Sequence, residues 1–400
     1  MAKSTALPVA LSIGLLAIGV LIGRFVWPRG ATPGRPDIAA VPVIFIHGYA
    51  GKAESWIDRN YADAHATHKG FAWRGTLSVD RDGVVQLSAP PRQAEWSPAR
   101  FPAYALALSN NGRNAIDASA EEVARAVGFA KKEHQAERVV LVGFSLGGVI
   151  ARAYLVAHVD DHCVSQLITI NSPHGGSELA YLYNLRKALG DLAAGREPDL
   201  TALQPMPTVL DPLIRTLAKV PRGNSVGTDL RRLLATWLAD QLDEVSTKHG
   251  FMLHDAAVAD VRPPAVLTGG KGNYLHRLNT SRHPADVEYW ALTGKKNLLD
   301  LSAADFVDDL AVLDPESGGP AATERSGIVG VLTECARALL GGGTNGDGWV
   351  SLQSQGLDGV AYLRDNQIRV HTLQVDGTHM KPVLQQEVVP LVIRSGGASN

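Results

Sequence analysis

An apolar, β-branched run at residues 138–144 (RVVLVGF) passes without a spacer into Ser145-Leu146-Gly147-Gly148 and then into a helical stretch over 149–157. A buried strand must therefore reverse into a helix within one or two residues, and few chain paths allow that. Gly143 and Gly147, two before and two after the serine, remove the side chains that would obstruct so sharp a turn and leave the Ser145 hydroxyl at its apex. The pentapeptide G-x-S-x-G is common by chance, and the strand before it and the helix after it are what give it meaning.

The run at 41–46 (VPVIFI) suits a buried strand of a parallel sheet, and 104–109, 164–171, 287–292 and 367–375 are further strand candidates. Between them lie helical patterns. One covers 54–69. Another begins near Asp117, carries a Ser119-x-x-Glu122 capping box and places Val123, Val127 and Ala130 on one face as far as about Gln135. Asp82-Gly83 predicts a hairpin turn within 75–87. Residues 178–260 hold helical patches, including 229–244, and no strand pattern. Strands alternating with helices predict a doubly wound, mostly parallel α/β sheet, with 178–260 inserted as a helical cap. The 400 residues, 45% of them hydrophobic, suffice for one large domain over 41–400.

Ahead of that domain, residues 4–23 carry no charge and are rich in Leu, Ile, Val, Ala and Gly. As a helix they would extend about 30 Å, the thickness of a hydrocarbon core. A cleavable signal peptide has a shorter apolar region ending in a small-x-small site, whereas this run continues into Arg24, Phe25, Val26 and Trp27. The expectation is an uncleaved single-pass anchor over 4–27 with Trp27 at the interface, then a linker over 28–40 marked by Pro28, Gly30, Pro33, Gly34 and Pro36. Lys3 and the terminal amine oppose Arg24, Arg29 and Arg35, so charge alone does not select a membrane side. The formal net charge is −2 and no block of like charges occurs, which argues against nucleic acid as a partner. Two cysteines, Cys163 and Cys335, lack the spacing of a zinc site and are either one disulfide or two buried thiols.

A serine hydroxyl needs a general base, and the base needs an acid to fix its tautomer. Of the 13 histidines, His371 and His379 follow the 287–292 strand. His371 falls within the last strand and reads as structural, while His379 follows it in the loop Asp376-Gly377-Thr378-His379, where a base belongs. For the acid, Asp347 lies in the turn Gly346-Asp347-Gly348; Asp300, Asp305, Asp308, Asp309 and Asp314 compete but read as a solvated helix face. The oxyanion formed during attack on an ester needs backbone N–H donors. Leu146, just after the serine, supplies one, and the turn His47-Gly48-Tyr49 supplies the other from Tyr49, with Ala50 as the second choice.

Taken in chain order, Ile46-His47-Gly48-Tyr49-Ala50-Gly51, Gly143-Phe144-Ser145-Leu146-Gly147-Gly148, Asn171-Ser172-Pro173-His174-Gly175-Gly176-Ser177, Asn345-Gly346-Asp347-Gly348 and Thr378-His379 resemble the α/β-hydrolase superfamily. Within it they resemble the bacterial lipases and the GPI inositol-deacylase-like serine esterases. The resemblance implies a Ser145, Asp347 and His379 triad, an oxyanion hole from Tyr49 and Leu146, and a structural role for His174. Two departures stand out. Phe144 occupies the place where such elbows often carry His. Lys381 stands two residues after His379, where many of these lipases place a Ca²⁺-ligating Asp, so neither a metal nor any cofactor is expected.

The sequence therefore predicts a membrane-anchored serine esterase or lipase, with a lipid-like carboxylic ester as substrate and an acyl-enzyme on Ser145. By the resemblance it would face the extracytoplasmic side. An acyltransferase on the same scaffold and a non-catalytic binding protein of the same fold are the alternatives.

Overall fold

The computed structural model describes residues 41–57, 71–89, 101–177, 179–198, 225–248, 255–262, 272–295 and 350–375, together with the single positions 379, 389 and 393. The expected anchor and linker over 1–40, most of the 54–69 helix, Asp347, Cys335 and Lys381 lie outside these residues. Among the described residues no helix is long and apolar enough to cross a membrane.

Eight strands form one sheet: β1 (Val43–Ile46), β2 (Phe71–Val79), β3 (Val85–Ser88), β4 (Phe101–Ala107), β5 (Val139–Phe144), β6 (Val164–Ile170), β7 (Glu288–Gly294) and β8 (Val370–Val375). Their order is β3-β2-β4-β1-β5-β6-β7-β8. Only β2 and β3 pair antiparallel, through the hairpin expected at Asp82-Gly83; every other pairing is parallel. Because β1, β5, β6, β7 and β8 run the same way, the loops after them open on one edge of the sheet.

Both faces of the centre are sealed. All four residues of β1 are fully buried. After the short helix α1 (Glu54–Ile57) come α2 (Ile116–His134) and α3 (Leu146–Ala157), with which Ile44 and Ile46 join one core together with Leu141 and Leu167. Val43 and Phe45 join the other, with Val140, Val142, Ile168 and Ile170. Period-two alternation thus feeds two hydrophobic layers, which is why β1 reads as a continuous apolar run. In the second layer Phe45 is ringed by Trp56, Phe71 and Trp73, with centroids 4.9, 5.0 and 4.9 Å away.

The helix α2 buries Ile116, Ala120, Val123, Val127 and Ala130, a 4-3-4-3 spacing that keeps one stripe on the sheet. Gln135 closes it in the left-handed region, with φ of 50°. Its start differs from the capping-box expectation. The helix begins at Ile116 behind Ala115, which puts Ser119 inside the first turn instead of at the cap. Glu122 accepts hydrogen bonds from the Ser109 backbone N–H and hydroxyl at 2.8 and 2.6 Å, and the Ile116 N–H donates to Asp260 at 3.0 Å. A carboxylate distant in sequence has replaced the local cap, and it suits the positive end of the helix.

Strand limits move for local reasons. β4 starts at Phe101, where Phe101 pairs with Phe71 of β2. β8 starts at Val370 because Gln367 takes φ of 56°, which no strand residue adopts. β7 extends to Gly294, whose N–H donates to both Asn171 and Gln355 at 2.9 and 2.8 Å.

Within 178–260 the described residues include three helices, α4 (Leu179–Ala193), α5 (Ser225–Lys248) and α6 (Ala256–Asp260). α4 packs on α5, and a two-pronged Arg186–Asp243 contact at 3.1 and 2.9 Å joins them. The apolar residues Leu230, Leu233, Leu234 and Trp237 remain exposed on α5 at helical spacing. Among the described residues the Cys163 thiol stands alone and accepts from Lys131 Nζ at 2.7 Å.

Leu141 is fully buried at the middle of β5 between β1 and β6. Leu141→Ala is expected to cost about 2–5 kcal/mol, read as a lower urea midpoint with an unchanged m-value.

Candidate active site

The turn after β5 is strained in the way the sequence predicted. Ser145 has φ of 51° and ψ of −126°, a conformation that costs a non-glycine residue about 1–3 kcal/mol and persists only when its surroundings impose it. Here they do. The Ser145 N–H donates to the Ile170 carbonyl of β6 at 2.8 Å, and the Gly148 N–H donates to the Ser145 carbonyl at 3.1 Å. A side chain on Gly147 would collide with the carbonyl oxygens of Ile46 and His47, and one on Gly143 with the backbone of Gly148. The glycines therefore let α3 lie directly against the end of β1.

Ser145 is also the N-cap of α3, yet its side chain makes no capping bond. The hydroxyl instead meets His379, whose Nε2 lies 2.9 Å from Oγ. His379 is buried. Its ring packs at a tilt against Phe144, 5.3 Å between centroids and 40° between planes. The 234 residues between serine and histidine are bridged because β5 and β8 point their carboxyl ends to the same edge.

The loop after β1 closes the other side. A Cβ on Gly48 would lie 2.8 Å from the Ser145 Cβ, so the backbone of His47-Gly48-Tyr49 passes next to the serine. Leu146, the first residue of α3, has a backbone N–H without an intrahelical acceptor, as every helix start does. Ser145, His379, the Gly48-Tyr49 loop and Leu146 are thus gathered at one point. Asp347 lies outside the described residues. His371 stacks on Trp290 at 4.3 Å and 13° within the sheet, the structural role expected of it.

Sequence reasoning missed the supports of the loop. His47 is buried, its Nδ1–H donates to the Gly48 carbonyl at 2.8 Å, and its Nε2 accepts from the Leu108 N–H at 3.1 Å. That pair of bonds fixes the neutral ring. Burial holds its pKa below the ordinary histidine value, against the pull of the Gly48 bond. Tyr49 donates its hydroxyl to Asp255 at 2.6 Å, and the N–H of Ser177 donates to the Val261 carbonyl at 3.0 Å. These contacts tie the segment 255–261 to the loops after β1 and β6. No local motif signals Asp255, 206 residues from its partner. Among the described residues no group of three or more His, Cys, Asp or Glu side chains is placed to hold a metal ion.

A family model described as the alpha/beta hydrolase fold matches residues 41–249. No curated protein matches the sequence. Among solved structures, Bacillus licheniformis lipase BlEst2 in its propeptide form is similar at 15% identity and a TM-score of 0.44, covering 93% of this chain and 53% of its own. The chain thus spans about half the length of that form. The mature form is 17% identical with a TM-score of 0.37, over 92% of this chain and 96% of its own. Naproxen esterase (carboxylesterase NP) from Bacillus subtilis is 10% identical with a TM-score of 0.36, over 90% and 85%.

Two outcomes follow from the local geometry. Because Ser145 holds a positive φ, Ser145→Gly should be about 1 kcal/mol more stable than Ser145→Ala in paired urea titrations; equal stabilities would mean that the turn is unstrained. His47 is neutral in the fold and takes a proton near pH 6.5 when unfolded, so the unfolded chain binds more protons in acid. Stability is complete above that pH and declines as the pH falls below it, measured as a falling urea midpoint between pH 7.5 and 5. His47→Gln should flatten part of that slope.

Proposed function

The chain belongs to the α/β-hydrolase fold family, and from that premise we propose that it is a serine esterase of the lipase type. The observation that carries the reading is the 2.9 Å contact between Ser145 Oγ and His379 Nε2 at the apex of a strained strand-to-helix turn. A serine held there with an uncommitted hydroxyl and a buried imidazole beside it is arranged for nucleophilic attack.

In this mechanism His379 Nε2 takes the Ser145 proton as Oγ adds to the ester carbonyl. The negative charge that grows on the carbonyl oxygen is met by the backbone N–H groups of Leu146 and Tyr49, which need no reorganisation because the turn and the β1 loop are already fixed. Collapse of the tetrahedral species breaks the ester C–O bond, and the alcohol leaves with the proton from His379. Water then attacks the acyl-enzyme, gives its proton to His379, and the acid departs as Ser145 recovers its proton. Asp347 is the acid that orients the imidazole.

The substrate is a lipid-like carboxylic ester. The exposed Leu230, Leu233, Leu234 and Trp237 on α5 support this, since an apolar stripe on a cap faces an apolar phase more favourably than water. The uncharged run over residues 4–23 would hold the domain at a bilayer as a single-pass anchor, on the extracytoplasmic side.

Hydrolysis of p-nitrophenyl esters of increasing acyl length tests the proposal. Ser145→Ala should lower turnover roughly 10⁶-fold and abolish fluorophosphonate labelling, with a thermal midpoint within a few degrees of the parent; His379→Ala should lose turnover likewise. Labelling retained in Ser145→Ala would mean that another residue is the nucleophile. A folded parent that neither turns over esters nor takes the probe would favour the non-catalytic alternative.

A further inference from the structure

Seven residues beyond Ser145, Arg152 of α3 is fully buried, and none of its three guanidinium nitrogens has a hydrogen-bond partner. Two buried histidines share its surroundings. Both ring nitrogens of His174, in the turn after β6, are unpartnered, as is Nε2 of His283, in the segment before β7. Asn279 of α7 (Tyr274–Thr280) donates its amide to the His174 carbonyl at 3.1 Å and leaves its own oxygen without a partner. Four side chains from four segments thus bring unspent polar atoms into one region of the interior, whereas buried polar groups are ordinarily paired.

No protein group there balances the guanidinium. Burial draws Arg152 down to about 9, which leaves it charged at neutral pH. Burial, reinforced by the Arg152 charge, holds His174 well below the ordinary histidine range and His283 at about 3, so neither ring adds a charge. Tyr274 and Tyr289 are within electrostatic reach, but burial pushes both phenols up. Their hydroxyls are committed elsewhere, to Asp117 at 2.5 Å and to the Pro284 carbonyl at 2.9 Å. Among the described residues Arg152 has no carboxylate partner. An ionised guanidinium with five unspent N–H donors is strongly unfavourable in an apolar interior unless an acceptor of opposite charge accompanies it.

We propose that this region is a binding site for a small monovalent inorganic anion, of which chloride is the type, held by the Arg152 guanidinium and an N–H of His174. His283 donates its Nδ1–H to the Ser281 carbonyl at 2.8 Å, so its Nε2 is an acceptor, as is the Asn279 oxygen. Water that hydrates the ion donates to both. The ion links α3 to the turn after β6. Those two segments already touch nearer the elbow, where Gly148 packs so tightly on Ser172 that a side chain there would collide with its hydroxyl. Water alone would satisfy the lone pairs but would bring no charge.

The test compares the thermal midpoint of the full chain in sodium chloride and in sodium gluconate at matched ionic strength, gluconate being a much larger organic anion. The midpoint should be higher in chloride and rise with the logarithm of its concentration, while Arg152→Met should not distinguish the salts. Crystals grown in bromide should show an anomalous peak beside Arg152 and His174. Equal midpoints in the two salts, or bromide crystals without that peak, overturn the proposal and leave water as the occupant. Both readouts use the parent protein, so they decide the matter even if Arg152→Met does not fold.

Discussion

The contact on which the molecule depends is between backbones: the first turn of α3 against the carbonyl end of β1. Gly147 lies on the carbonyls of Ile46 and His47, and Gly143 on the backbone of Gly148. Two strands and a helix therefore meet at a separation that no side chain permits. The close approach forces Ser145 to a positive φ, brings the β1 loop beside its hydroxyl and aims the N–H groups of the helix start at the same point. Everything chemical about the site follows from that fit. The two hydrophobic layers sealing β1 hold it in place, since a central strand buried on both faces has nowhere to slide.

Much of this was legible in the sequence because it is written locally. The strand, the glycine-flanked serine and the helix occupy adjacent residues, so pattern alone places them, and His379 was found because it follows the last strand. The β-branched runs fixed six of the eight strands to within a few residues, and the Asp82-Gly83 turn located the hairpin. What pattern missed depends on distant partners. The Ser119-x-x-Glu122 box looked like a cap because it satisfies a local rule. In the fold, Glu122 serves Ser109 while Asp260 takes the helix end, and nothing near residue 119 encodes that exchange. Arg152 lies in a helical run that looks ordinary, and the turn motif around His174 implies no more than a structural role for it; burial without partners is what marks both.

Phe144 acts on its neighbour by packing alone, since its apolar ring meets the His379 ring at a tilt of 40°. That contact restricts the imidazole plane through packing, and it acts together with the hydrogen bond to Ser145. The His379 ring is therefore held on one side by the residue that precedes Ser145.

The short segment from Asp255 to Val261 touches three parts of the machinery. It accepts the Tyr49 hydroxyl, bonds the Ile116 N–H at the start of α2, and receives the N–H of Ser177 after β6. It also packs on α4. The segment is consequently not a free-standing piece of the fold, because its footing is mortised into the loop that passes beside Ser145. Any displacement of that segment is passed, through the Asp255 carboxylate, to the loop whose backbone lies next to Ser145, so the two parts move as one linkage.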